Sequence, residues 1–450
     1  MMHRGPHIEW LASQIWRHVV ERFASDPPLT NAPSYTELSQ RIGATITAEG
    51  IGLQAALRLW TEEISRAALP ADHPRFLAFI PCAPTDAAIL FDALVTASSI
   101  YGGTWLEASG SVYAENQVLR WLADLAGFPA GAGGCFVQGG TTGNISALIA
   151  ARHTALEKRK GSRPQRWVAA ISDETHSSVR YGVEQVMDAN ILLVPTDDHG
   201  RLRGEDLRKT VEQQGTDGLF AVVATAGSTN RGVIDDLEGI ANVCAELGVW
   251  MHVDGAYGAA ALAAPSARRL FRGIERADSF VVDPHKWLFA PFDSCALLYR
   301  HPELARRAHT QHAAYLAPVL VEGPWNPSDY AIHLSRRPRG LPMWFSLAAH
   351  GTRAYSSAIE GTLAVAREFA DEIRRRPNLE LLAEPTLSIV VFHRSGWSAD
   401  DYERWSENLR RDGTAFVTPT SLQDQPCARV AIVNPRTTRA DLIRILDSMA

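Results

Sequence analysis

Five short runs of apolar and β-branched residues, at 167–171, 191–194, 220–225, 249–253 and 279–282, alternate with longer stretches whose apolar side chains recur at helical spacing. A parallel strand cannot return by a tight hairpin, so strands separated by helices form a mostly parallel sheet with helices on both faces. The pattern predicts an α/β central domain. In such a sheet ligands sit at the carboxyl ends of the strands, which makes the residues just after each run the candidates for chemistry.

The chain has 450 residues, more than a single core of roughly 250 to 300 residues accommodates. Residues 8–24 and 47–68 read as outlying helices joined by a proline-bearing connector at 26–33. A helical stretch from about residue 344 to 375, followed by apolar runs at 387–392 and 428–433, predicts a smaller α+β domain. The expected division is a helical dimerisation segment at 1–72, an α/β domain at 73–348 and an α+β domain at 349–450. Formal charge is -6, with 44 basic and 50 acidic residues intermixed. That mixture offers no basic stripe for nucleic acid and no polybasic tail for a membrane surface. Five scattered cysteines without a C-x-x-C pair argue against a disulfide framework and for a reducing cytoplasm. No run reaches the roughly 18 apolar residues of a membrane span, and the expectation is a protein neither exported nor anchored.

The strand ends form a set. A glycine-rich segment from Gly133 to Asn144, with Thr141 and Thr142, opens a helix at 145–153. Glycines let backbone N–H groups approach a ligand and a helix N-terminus favours an anion, which suggests phosphate, although an ordinary turn before a helix reads the same way. His176 follows the first run, small and hydroxyl residues ending in Thr229 follow the third, and Asp254 follows the fourth, with Gly255, Ala256, Tyr257 and Gly258 after it. Lys286 stands just past the fifth, flanked by His285 and Trp287. A lysine and an aspartate at the ends of apolar strands are costly unless they meet partners or react. Together these groups fit pyridoxal 5'-phosphate, which needs a lysine for its Schiff base, an acid for its pyridine nitrogen and anchors for its phosphate. Desolvation near cationic groups is expected to lower the pKa of Lys286. Zinc fits less well and no metal is expected, because the 15 histidines include no H-E-x-x-H pair.

The segments His252-Val253-Asp254-Gly255-Ala256-Tyr257, Ala277-Asp278-Ser279-Phe280 and Pro284-His285-Lys286-Trp287 resemble, in order and spacing, those of group II pyridoxal phosphate-dependent amino acid decarboxylases, especially the aromatic-L-amino-acid decarboxylases. The resemblance runs from His73 to Ala431. It implies the aspartate aminotransferase-like (type I) fold and a homodimer that exchanges its N-terminal helices. It also implies Lys286 as the Schiff-base lysine, Asp254 at the pyridine nitrogen, His176 stacked on the ring, Ala256 beneath its other face, and Thr141, Thr142 and Thr229 at the phosphate. Asp283, a further residue at the cofactor, stands where many relatives carry asparagine.

For the substrate pocket the resemblance implies Phe79, Pro81 and Cys82, with Cys82 in place of a threonine, and Tyr101, Gly103 and Trp105, with Gly103 in place of a bulky aromatic. A mobile loop is expected at 318–335, its Gly323, Pro324, Pro327 and Ser328 suiting closure, with Tyr330 as proton donor. Ungapped alignment puts Pro327 at that tyrosine instead. The implied activity is decarboxylation of an L-amino acid, with an aromatic side chain expected, to its amine and carbon dioxide. An aldehyde-forming oxidative deaminase would share every cofactor residue, and a non-catalytic relative is disfavoured by the presence of Lys286, Asp254 and His176 together.

Overall fold

All five apolar runs are strands of one sheet. The computed structural model describes residues 5–30, 32–314 and 325–450. The sheet comprises β1 (Gly133–Val137), β2 (Val168–Ser172), β3 (Asn190–Val194), β4 (Leu219–Thr225), β5 (Trp250–Asp254), β6 (Ser279–Val282) and β7 (Cys295–Tyr299), in the order β1-β7-β6-β5-β4-β2-β3. From β3 through β2, β4 and β5 to β6 the pairing is parallel. β7 is antiparallel to both β6 and β1, so it alone runs against the other six.

Side-chain alternation builds a core on each face. Val222, Ala224, Met251, Val253, Phe280 and Val282 join one buried cluster, while Ala221, Val223, Trp250, Val281 and Leu297 join the other. A period of two on strands covered on both sides produces this division. β1 was not expected as a strand because two of its five residues are glycine. The reason for one is steric: a Cβ on Gly134 would lie 1.8 Å from the carbonyl oxygen of Leu297 on β7. Consequently the helix after it begins at Gly140 rather than at 145 and runs to Lys158.

A second sheet, β8 (Leu379–Leu381), β9 (Ile389–Arg394), β10 (Thr418–Leu422) and β11 (Gln425–Ala431), is antiparallel in the order β10-β11-β9-β8. Gln423 and Asp424, both with positive φ, make the two-residue turn between β10 and β11. Helices Ala399–Arg411 and Arg439–Asp447 start at capping boxes on Ser398 and Thr438 and bury Tyr402, Trp405 and Leu442 against this sheet. The long helical stretch divides at Gly351, whose φ of 77° ends helix Leu341–His350 before helix Thr352–Arg374.

The N-terminal helix Ile8–Phe23 has no buried residue. Neither has helix Tyr35–Ile42, which follows the proline-bearing connector and which Ser34 and Glu37 start with a capping box. The segment from 47 becomes helical only at Leu53–Leu59 and then changes pitch through Trp60–Ile64.

Candidate active site

The carboxyl ends of β2, β4, β5 and β6 and the start of helix Gly140–Lys158 surround a cleft of about 400 Å³. Lys286, Asp254, His176 and Asp283 line it, together with Thr141 from the helix and Thr229 after β4. Ala256 and Phe79 also line it.

Lys286 Nζ lies 3.1 Å from Asp283 Oδ2, with the lysine side chain about a quarter exposed and the aspartate 2% exposed. The same oxygen accepts from Gly140 N at 3.3 Å, and His285 Nε2 lies 3.7 Å away. Burial pushes the Asp283 carboxyl up, but Lys286 and His285 outweigh it and hold the group below the ordinary carboxylate range. Burial pulls Lys286 down, yet Asp283 and Asp254 outweigh that and raise it above the ordinary lysine range. The expectation of a lowered lysine is therefore corrected, because the charges acting most strongly on it are carboxylates.

Asp254 Oδ2 accepts from Asn144 Nδ2 at 2.8 Å, and its other oxygen accepts from Ala256 N at 3.1 Å. His176 caps the short helix Ser177–Tyr181, its Nδ1 accepting from Ser178 N at 3.2 Å, which leaves Nε2 on the outer side of the ring. Below the cleft Tyr257 stacks on Trp287, with centroids 5.2 Å apart, and its hydroxyl is 2.6 Å from Ser388 Oγ. Arg429, on β11, donates from Nε to the carbonyl of Thr229 at 2.7 Å and from a terminal nitrogen to that of Phe79 at 2.8 Å. One buried side chain of the second sheet thus joins two walls of the cleft. Sequence reasoning missed Arg429 and Asn144. Asn144 had one signal, its place in the first turn of the glycine-rich helix, whereas Arg429 is 200 residues from Thr229.

The remaining expected residues do not line this cleft. Thr142 lies in the first helical turn, its carbonyl accepting from Ser146 Oγ. Pro81 is buried, and Cys82 is buried with Sγ 3.2 Å from the carbonyl of Ala290. The Tyr101 hydroxyl donates to the carbonyl of Leu334, and the Tyr101 ring occupies the space beside Gly103, where a Cβ would come within 2.6 Å of it. Trp105 N donates to Asn326 Oδ1 at 2.9 Å. Tyr330 is 5% exposed, stacked on Trp325 at 4.2 Å and packed in the core. Of the expected mobile loop, residues 318–324, with Gly323 and Pro324, lie outside the described residues. Pro327 and Ser328 are buried rather than free, Ser328 N donating to the carbonyl of Gly103 at 3.0 Å.

Two observations suit a phosphorylated cofactor. Thr225 Oγ1 and Ser228 Oγ are buried without a hydrogen-bond partner, and Thr225 lines the cleft. Each such atom costs about 1–3 kcal/mol unless a ligand satisfies it. A Cβ on Gly140 would lie 3.1 Å from Ala256 Cβ and 3.3 Å from Asp283 Oδ2, so glycine keeps the approach to the helix start open.

Residues 62–395 match the pyridoxal-dependent decarboxylase conserved domain. The aromatic-L-amino-acid decarboxylase of Bacillus atrophaeus is 30% identical over 422 residues, covering 91% of this chain and 87% of the relative. That of Cavia porcellus is 32% identical over 400 residues, covering 82% of each. Among solved structures, Catharanthus roseus tryptophan decarboxylase in complex with L-tryptophan has a TM-score of 0.91 at 24% identity, covering 100% of this chain and 98% of that one, and so shares the fold. The match over most of the chain, on a fold that gathers a lysine and an aspartate at the strand ends, makes this protein a member of the pyridoxal phosphate-dependent decarboxylase family, a carboxy-lyase acting on amino acids.

Proposed function

We propose that the substrate is an aromatic L-amino acid, released as its amine and carbon dioxide. The observation that carries this is the cleft mouth, formed by Phe79, Ile80 and Phe292. Phe79 and Phe292 are 60% and 57% exposed, and among the described residues lining the cleft Lys286 is the only lysine and there is no arginine. An acidic substrate side chain would lack a cationic partner there, while an aromatic one would cover the apolar wall. The activity named for the Bacillus atrophaeus and Cavia porcellus relatives agrees.

Pyridoxal phosphate, bound through its aldehyde, supplies an electron sink for the pair released when the carboxylate departs. In this reading Lys286 would hold the cofactor covalently through its side-chain amine. Asp254 would hold the pyridine nitrogen, and His176 and Ala256, which line the same cleft, would pack against the ring. Thr141, Thr142 and Thr229 supply hydroxyls for the phosphate, Thr142 by reorienting within its helical turn. Asp283 receives the lysine ammonium whenever that amine is free. Incubating the purified enzyme with cofactor and the twenty amino acids plus dihydroxyphenylalanine, then identifying products by mass, tests the proposal. Turnover confined to acidic amino acids would overturn it. Tyr330 packed away from the cleft favours one second reading, an oxidative deaminase that converts the amino acid, oxygen and water to the aldehyde, carbon dioxide, ammonia and hydrogen peroxide. Rhodiola rosea 4-hydroxyphenylacetaldehyde synthase shares the fold, with a TM-score of 0.87 at 22% identity over 99% of this chain and 98% of that one.

We further propose that residues 1–72 are a dimerisation arm preceding an α/β domain at 73–348 and an α+β domain at 349–450, and that the enzyme is a cytoplasmic homodimer. Ile8, Val20, Tyr35 and Ile46 are 60%, 63%, 87% and 96% exposed, a run of apolar surface that a second copy would cover. Among the described residues no helix is long and apolar enough to cross a membrane. The five cysteines are free and buried, which suits a reducing compartment.

A further inference from the structure

Behind Asp254 lies a file of buried polar side chains, of which Asn144 and Asp254 line the cleft while Trp250, His252 and Ser279 do not. Trp250, His252 and Asp254 alternate along β5 and share one face of the strand. The parallel register sets His252 opposite Ser279 of β6, and Asn144 comes from helix Gly140–Lys158. Trp250 Nε1 is 2.9 Å from Ser279 Oγ, and Ser279 Oγ is 2.8 Å from His252 Nδ1. His252 Nε2 is 2.9 Å from Asn144 Oδ1, and Asn144 Nδ2 is 2.8 Å from Asp254 Oδ2. All five residues are at most 6% exposed.

Both ends of this file dictate its polarity. An indole nitrogen only donates and a carboxylate only accepts. Asn144 must therefore turn its amide nitrogen to Asp254 and its oxygen to His252. That oxygen requires a proton on His252 Nε2. Nδ1 of the neutral ring then accepts the one proton of Ser279, whose oxygen accepts from Trp250. Any reversed link would set two acceptors or two donors against each other in a buried site.

We propose that Trp250, Ser279, His252 and Asn144 are positioning residues for the reaction, a one-way hydrogen-bond chain that holds the Asp254 carboxylate in a single orientation toward the cofactor. Burial pushes His252 down to about 4, against the pull of Asp254, the charged group that acts on it. On the cleft side Asp254 helps to raise Lys286. The histidine is thus a neutral coupler rather than a second acid.

The inference rests on the cofactor reading for its catalytic meaning, but its first test does not. With 15N-labelled histidine in the full-length protein, before and after cofactor loading, His252, assigned by its loss in His252→Gln, should show the neutral Nε2–H tautomer unchanged between about pH 5 and 8. An Nδ1–H tautomer, or titration in that window, would overturn the chain. In a second test, Ser279→Ala should lower kcat roughly tenfold with KM little changed, shift the pyridine signal of 15N-labelled cofactor, and move a limb of the pH–kcat profile. Ser279→Thr, which keeps the hydroxyl, should restore all three. A Ser279→Ala enzyme with lowered Tm but unmoved pyridine signal and pH profile would show a packing role only and sink the proposal. A wild-type protein that binds no cofactor would refute the cofactor reading instead, leaving the tautomer result to stand by itself.

Discussion

The Lys286 ammonium and the Asp283 carboxylate form an ion pair of 3.1 Å at the mouth of helix Gly140–Lys158, where Asp283 also accepts from Gly140 N. Asp283 therefore occupies ground that suits a phosphate, while holding the lysine in its protonated form. Lys286 is raised, so its contribution to stability is fully present below the ordinary lysine pKa and is lost as pH rises through its higher folded value. Asp283 is lowered, so its contribution is present above the ordinary aspartate pKa and is lost as pH falls through its folded value. Asp283→Asn should remove both, making the cofactor-free protein less stable by about 1–3 kcal/mol near neutral pH. It should also speed cofactor capture, because more of the lysine is then neutral. Urea denaturation and stopped-flow absorbance would measure the two effects, and slower capture by the variant would contradict this account.

Lys286→Ala should abolish covalent cofactor attachment and the associated visible absorbance, while the far-ultraviolet circular dichroism stays native. Borohydride reduction of the wild-type enzyme followed by peptide mapping should place the pyridoxyl group on Lys286. Label on another lysine would remove this residue from its assigned role.

Arg429 is 5% exposed and serves the carbonyls of two cleft-lining residues, Thr229 and Phe79. Arg429→Met keeps much of the volume but leaves both carbonyls without this donor, at a cost of about 1–3 kcal/mol each if they stay buried. The expected result is a KM raised by roughly tenfold or more, with Tm lowered. Unchanged kinetics beside a lowered Tm would limit the arginine to stability.

Tyr330→Phe should leave the ratio of amine to aldehyde unchanged, because Tyr330 is stacked on Trp325 in the core. Product analysis with an oxygen electrode tests this. A shift toward aldehyde with oxygen uptake would return Tyr330 to the proton-donor role that its sequence context suggested.

Deleting residues 1–52 should yield an inactive species or one that self-associates irregularly, while the full-length enzyme sediments as a dimer. An active full-length monomer at low micromolar concentration would contradict the proposed arm.

The strand ends were readable in advance because their signals are local. A run such as 249–253 is apolar whatever surrounds it, and Asp254 follows it by covalent connection alone. The same logic located His176, Thr229 and Lys286 at one edge of the sheet before any contact was known. β1 escaped because glycines at 133 and 134 resemble a loop until the fold brings the Trp325 ring against the first and the backbone of β7 against the second. Pairings between distant segments had no local sign. The proximity of Arg429 to Thr229, of Asn144 to Asp254 and of Ser328 to Gly103 depends on how elements pack across 200, 110 and 225 residues of chain respectively. Electrostatics followed the same division. A strand-end lysine could be recognised as reactive from its position, but whether its pKa rises or falls depends on which charges the fold brings within a few ångströms, and the fold brings Asp283 and Asp254.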